Sequence, residues 1–160
     1  MDSRACSTPT SGGWEETVVP AMTQRRVALT PTLSGWKYLL RRDRLSTQEQ
    51  SVATATRQVR AWVANGGTVL FGNDLGAGDS DPGEEYALMA GAGMSFRQIL
   101  ASLTTAPAER FGASMQLGRI APGFNADLAV LRGDPSRDIR ALASVQYTLR
   151  DGKVVYRAPR

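Results

Sequence analysis

The chain has 160 residues, 42% of them apolar and 21% charged, with a formal net charge of +4 and no histidine. This length suits one domain with a substantial core, and the composition excludes bulk disorder and any run near the roughly 18 apolar residues of a membrane span. Without imidazole, a His–Cys zinc site, a Ser–His–Asp triad and a Cys–His dyad are all excluded within this polypeptide.

Met1 to about Thr23 is rich in Ser, Thr, Gly and Pro and has no period, so residues 1–25 are expected to form a loosely ordered lead-in without a signal-like apolar stretch. Its Cys6 is the only cysteine. That excludes an internal disulfide framework, points to a reducing, cytoplasmic setting, and leaves an inert thiol. Arg26–Leu33 is a short apolar run closed by Pro31, consistent with a buried strand entering a loop.

The excess charge follows. Residues 1–66 hold nine Lys/Arg against five Asp/Glu, whereas residues 67–160 hold ten of each. Lys37, Arg41, Arg42 and Arg44 could contact phosphates, but only Trp36 and Tyr38 interleave with them. A solvated basic face is the simpler reading, and no nucleic-acid partner is expected.

Ser46-Thr-Gln-Glu49 has capping-box spacing and predicts a helix from about Thr47. Val52, Ala55, Val59 and Val63 give it an apolar stripe, and Asn65-Gly66 stops it. Thr68–Phe71 then reads as a brief buried strand. Strand, helix and strand in this order predict a parallel pair with a helical crossover, which puts the loop Gly72–Gly78 at the carboxyl edge of the sheet, where α/β proteins form ligand sites.

Glu84–Ala92 and Phe96–Leu103 look helical, the second capped by Ser95 with Gln98 at the reciprocal position. Thr105–Gly112 reads as a shorter helix with Pro107 in its first turn. From Leu117 the pattern changes to strands: Gly118–Gly123 turns into Ala126–Leu131, and Asp151-Gly152 joins Gln146–Arg150 to Val154–Arg157 as a hairpin.

Gly67–Gly76, Gly93–Leu100, Leu103–Gly112, Leu117–Leu131 and Asp151–Val155 together resemble the end of an amidohydrolase-superfamily protein, of the imidazolonepropionase-like and prolidase-like group. The likeness covers about residues 26–157, and Gly118–Leu131 is its most specific block. It implies an α/β chain: a partial TIM barrel over residues 26–112, comprising the last β/α units of a metal-dependent hydrolase. Residues 113–160 would follow as strands of a small β-sandwich domain. The resemblance also implies that Asp74, at the end of the last barrel strand, is both metal ligand and catalytic acid–base group, taking the proton from metal-activated water that attacks an amide, cyclic amide or dipeptide-like carbon–nitrogen bond. The metal of such proteins is expected to be a divalent ion, zinc first, and the substrate a small amide-type molecule.

The remaining family ligands are histidines, with a carboxylated lysine or a glutamate in some members, and all lie on earlier strands. Lys37 stands in the wrong pattern to be one. A complete barrel needs about 250 residues and a catalytic zinc three protein ligands. The chain alone is therefore expected to be a C-terminal fragment that holds no metal and is inactive. Uncovered barrel edges would favour self-association or a partner chain, which leaves a non-catalytic interaction module as the alternative.

Read without the resemblance, Asp74 could simply hold a turn or cap a helix. Asp79, Asp81, Glu84 and Glu85 lack calcium-loop spacing and are expected to be an exposed acidic helix start, while the resemblance implies that Leu75–Asp81 borders a substrate pocket. Asp127 is expected to be a buried, hydrogen-bonded structural carboxylate. Trp14, Trp36 and Trp62 are expected to pack.

Overall fold

Apolar spacing builds the longest element. The computed structural model describes residues 14, 17–40, 45–74 and 81–159, with residues 45–48 in backbone only. The lead-in contains helix α1, Val18–Gln24, where a loose segment was expected. Its Val19 and Met22 pack against the core, and that tertiary contact gives order to a stretch without local periodicity.

Strand β1, Ala28–Leu29, is followed by helix α2, Leu33–Leu39, and helix α3, Leu45–Ala64. Helix α3 begins two residues before the expected Thr47; the Ser46 side chain of the expected cap lies outside the described residues. Ala55, Val59 and Trp62 form its buried stripe, with Val52 and Val63 half-buried at its flanks. The helix stops as expected at Asn65-Gly66, where Gly66 takes φ 74 and its N–H donates to the Val63 carbonyl at 3.0 Å.

The chain then enters strand β2, Thr68–Val69, which pairs in parallel with β1 in the register Ala28 with Thr68 and Leu29 with Val69. Helix and strand are held together at the turn. The Trp62 indole Nε1–H donates to the Thr68 carbonyl at 2.9 Å, and the ring covers Gly67 so closely that any Cβ there would fall inside it.

Three helices follow: α4, Gly83–Gly91; α5, Phe96–Leu103; and α6, Thr105–Arg110. Helix α5 carries the expected reciprocal cap between Ser95 and Gln98. One core joins Leu29, Leu33, Val59, Trp62, Val69, Met89, Ile99 and Leu142. The last, Leu142, comes from a 3-10 helix over Ile139–Ala143 that seats the tail against the helices.

The tail forms an antiparallel sheet in the order β3–β4–β5, from Leu128–Leu131, Val145–Arg150 and Lys153–Arg157. Asp151 at φ 48 and Gly152 at φ 74 make the two-residue turn between β4 and β5, the conformation that favours Asp-Gly in hairpins. Asp127 accepts from the Asp151 amide at 2.8 Å and so pins that turn. It is exposed rather than buried, because the Asp151-Gly152 turn that it pins is itself at the surface. The described residues thus form an α/β fold, and among them no helix is long and apolar enough to cross a membrane.

Candidate functional site

The segment leaving β2 is guided on both sides by backbone bonds. The Leu70 amide donates to the Leu29 carbonyl at 2.9 Å, and the Phe71 amide to the Ser102 carbonyl at 3.1 Å. These bonds carry the chain between β1 and α5 to Asp74, which is exposed at the carboxyl end of the parallel pair, the expected edge. Asp74 adopts φ 53, a left-handed conformation that few non-glycine residues occupy. Thr32, beyond β1 on the same edge, stands at φ 45. Two non-glycine residues in this region at one sheet edge are the kind of local strain that clusters at functional sites.

Helix α2 forms the adjoining wall. Its Gly35 is buried, and a Cβ on it would lie 3.6 Å from the Asp74 Cβ and 3.8 Å from the Asn73 carbonyl oxygen. Helix α4 in turn grips α2 through two acids. Glu85 is fully buried, and its Oε1 and Oε2 accept from the Leu33 amide at 2.9 Å and the Ser34 amide at 2.7 Å. Glu84 pairs with the Lys37 ammonium at 2.7 Å on the half-exposed side.

These contacts correct the expectation of a wholly exposed acidic helix start. Glu85 lies inside because two orphan amides of the α2 N-terminus replace its hydration. Burial pushes its carboxyl above the ordinary value, and the Ser34 and Leu33 amides with the Ser34 hydroxyl offset this only in part. A sequence signal for this existed: Glu85, Met89 and Ala92 fall at i, i+4 and i+7 on the buried stripe of α4. Asp81 accepts from the Gly83 amide at 2.8 Å, starting α4. Burial and the nearby Asp81 charge raise the Tyr86 hydroxyl, and the Tyr86 ring packs 4.8 Å from that of Phe71.

Residues 75–80, including Asp79 and most of the expected pocket loop, lie outside the described residues, as do Cys6, Arg41, Arg42 and Arg44. Lys37, the described member of the basic cluster, is held by Glu84. Trp62 is buried, and Trp14 and Trp36 pack on the core.

The described residues assemble no metal centre. The sequence has no histidine, and among the described residues no group of three or more His, Cys, Asp or Glu is placed to hold a cation. Glu84, Glu85 and Asp81 are bound to Lys37, to the α2 amides and to the α4 start respectively.

Comparison with known proteins gives a consistent result. Residues 16–156 match the amidohydrolase family. A curated protein of Hapsidospora irregularis, amidohydrolase tasK, is 46% identical over 43 residues, which are 27% of this chain and 4% of that protein. Among solved structures, the chain is similar to a Xaa-Pro dipeptidase with bound methionine in its active site, with TM-score 0.80 and 21% identity over 90% of this chain. It is also similar to a prolidase complexed with N-methylphosphonate-L-proline, with TM-score 0.74 and 28% identity over 90% of this chain. The chain spans 38% of the length of each of these two structures. Its α/β fold is therefore shared with proteins more than twice its length, and the chain belongs to the amidohydrolase family.

Proposed function

We propose that this chain is the C-terminal portion of a hydrolase acting on amide, cyclic amide or dipeptide-like carbon–nitrogen bonds, and that Asp74 is its contribution to the catalytic site. Residues 26–112 supply the barrel portion and residues 113–160 the β-rich tail. The observation that carries the reading is the placement of Asp74: an exposed carboxylate at the carboxyl end of a parallel pair, in a left-handed conformation between the exits of β1 and β2. A carboxylate so placed is accessible to take a proton from an attacking water, a role worth about 10²–10⁴ in rate. The likeness to a prolidase at 28% identity supports a dipeptide-like substrate.

The same reading makes the isolated chain inactive, since it has no imidazole to complete a cation site. The zinc expected of a complete enzyme would need ligands from another segment. The test is an assay of Xaa-Pro dipeptides, N-acyl amino acids and cyclic amides with added zinc. It would use the chain alone and the chain assembled with the histidine-bearing segment expected upstream of it. Turnover is expected only from the assembly, falling about 10²-fold or more in Asp74→Asn. Turnover indifferent to Asp74→Asn would overturn the site. Stoichiometric zinc with turnover from the chain alone would overturn the fragment.

A second reading, a non-catalytic chain that pairs with another, rests on the surface. Every residue of β5 is exposed, and Met115 and Ile120 are 83% and 89% exposed. Light scattering that shows a stable monomer at high concentration would remove it.

A further inference from the structure

Glu85 makes no described ion pair. Its buried carboxylate is taken up by two backbone amides 52 and 51 residues away in sequence. Carboxylates are almost never fully buried without such partners, and withdrawing one from water is costly. A capping side chain at Thr32 would reach only the Ser34 or Gly35 amide and not that of Leu33, and Thr32 makes no side-chain cap there. The long-range bond does something a local cap would not: it fixes the first turn of α2 to α4. That turn continues into Gly35, which backs the Asn73–Asp74 segment.

We propose that Glu85 is a positioning residue for Asp74, acting through the amides of Leu33 and Ser34 and the Gly35 turn that supports the Asp74 backbone. The proposal rests on the reading of Asp74 as the site acid. Aspartate enters the left-handed region more readily than most residues but still at a cost, and the α2 turn packed beside Asp74 helps hold it at φ 53. Removing the Glu85 tie would therefore loosen α2 and let Asp74 relax out of the left-handed region, even where the core remains folded.

The experiment records backbone amide exchange and ¹³Cα shifts on the full chain for wild type, Glu85→Gln, Glu85→Ala and Met89→Ala. Met89 lies one turn along the same buried stripe of α4 and reports generic loosening. Glu85→Gln keeps one acceptor oxygen and serves if Glu85→Ala does not fold. The Leu33 and Ser34 amides are expected to lose about tenfold or more in protection in either Glu85 variant. The Asp74 ¹³Cα shift should move away from its left-handed value in both, and stay in place in Met89→Ala. An Asp74 shift unchanged in Glu85→Gln, or moved equally by Met89→Ala, would overturn the proposal. Turnover of the assembled hydrolase in Asp74→Asn is a separate measurement: its survival would remove the site reading and leave the coupling seen in the shifts standing.

Discussion

Replacing Gly67 with alanine would strike the joint between α3 and β2. An added Cβ would fall within the Trp62 indole, so either the ring or the strand must shift. The ring has little room, being 1% exposed and bound through Nε1 to the Thr68 carbonyl. Overpacking a close-packed site costs about 1–3 kcal/mol. Orphaning the buried indole N–H adds about 1–3 kcal/mol. The expected loss is thus about 2–6 kcal/mol, against a total stability of roughly 5–15 kcal/mol for a domain. At about 2–4 °C per kcal/mol, the melting temperature should fall by about 4 °C at the least. Urea and thermal unfolding followed by circular dichroism would measure this. The same substitution in a Trp62→Leu background separates steric conflict from backbone preference: without the indole, Gly67→Ala should cost less than about 1 kcal/mol, a clear coupling between neighbours. A Gly67→Ala protein within about 0.5 kcal/mol of wild type, or an equal cost in both backgrounds, would refute the reasoning.

Three further outcomes are expected. Asp74→Gly should stabilise the chain by up to about 1 kcal/mol in urea unfolding, since glycine carries no penalty at φ 53, and a clear loss of stability would show the conformation to be unstrained. Because the folded Glu85 carboxyl is raised above its ordinary value of 4.5, the folded state binds that proton more tightly than the unfolded one. Its contribution is fully present below the ordinary value and is lost as pH rises through the raised one. The stability of wild type relative to Glu85→Gln should therefore decline from pH 4 towards pH 8, and a flat or rising difference in urea midpoints would contradict the shift. Finally, Ser95→Ala removes the acceptor for the Gln98 amide and should cost about 1 kcal/mol, read from the same unfolding curves.

Local signals made much of the fold legible. The stripe from Val52 to Val63 and the Asn65-Gly66 stop located α3, Ser95 and Gln98 marked the start of α5, and Asp151-Gly152 marked the hairpin. What escaped depends on partners far along the chain. Helix α2 has only seven residues, follows Pro31 and contains Gly35, so little in its own composition favours a helix. It is held by Glu85, whose partners are backbone amides that no side-chain motif reveals. Helix α1 likewise owes its order to the core under Val19 and Met22. Asp127 was recognisable as a bonding partner, while its exposure follows from the surface position of the Asp151-Gly152 turn, which short-range pattern does not encode.

The two described sheets also differ in how far apart their strands lie in sequence. The β4–β5 hairpin closes through a two-residue turn, and such hairpins assemble in about 1–10 μs. Strands β1 and β2 meet only after the whole of α2 and α3 has been looped between them, over contacts two residues long on each side. Pairing across so many residues carries a chain-entropy cost before any contact repays it, and slows the search. The edge bearing Asp74 is consequently expected to be the last part of the chain to assemble and the first to open, while the C-terminal hairpin persists as an early-forming unit.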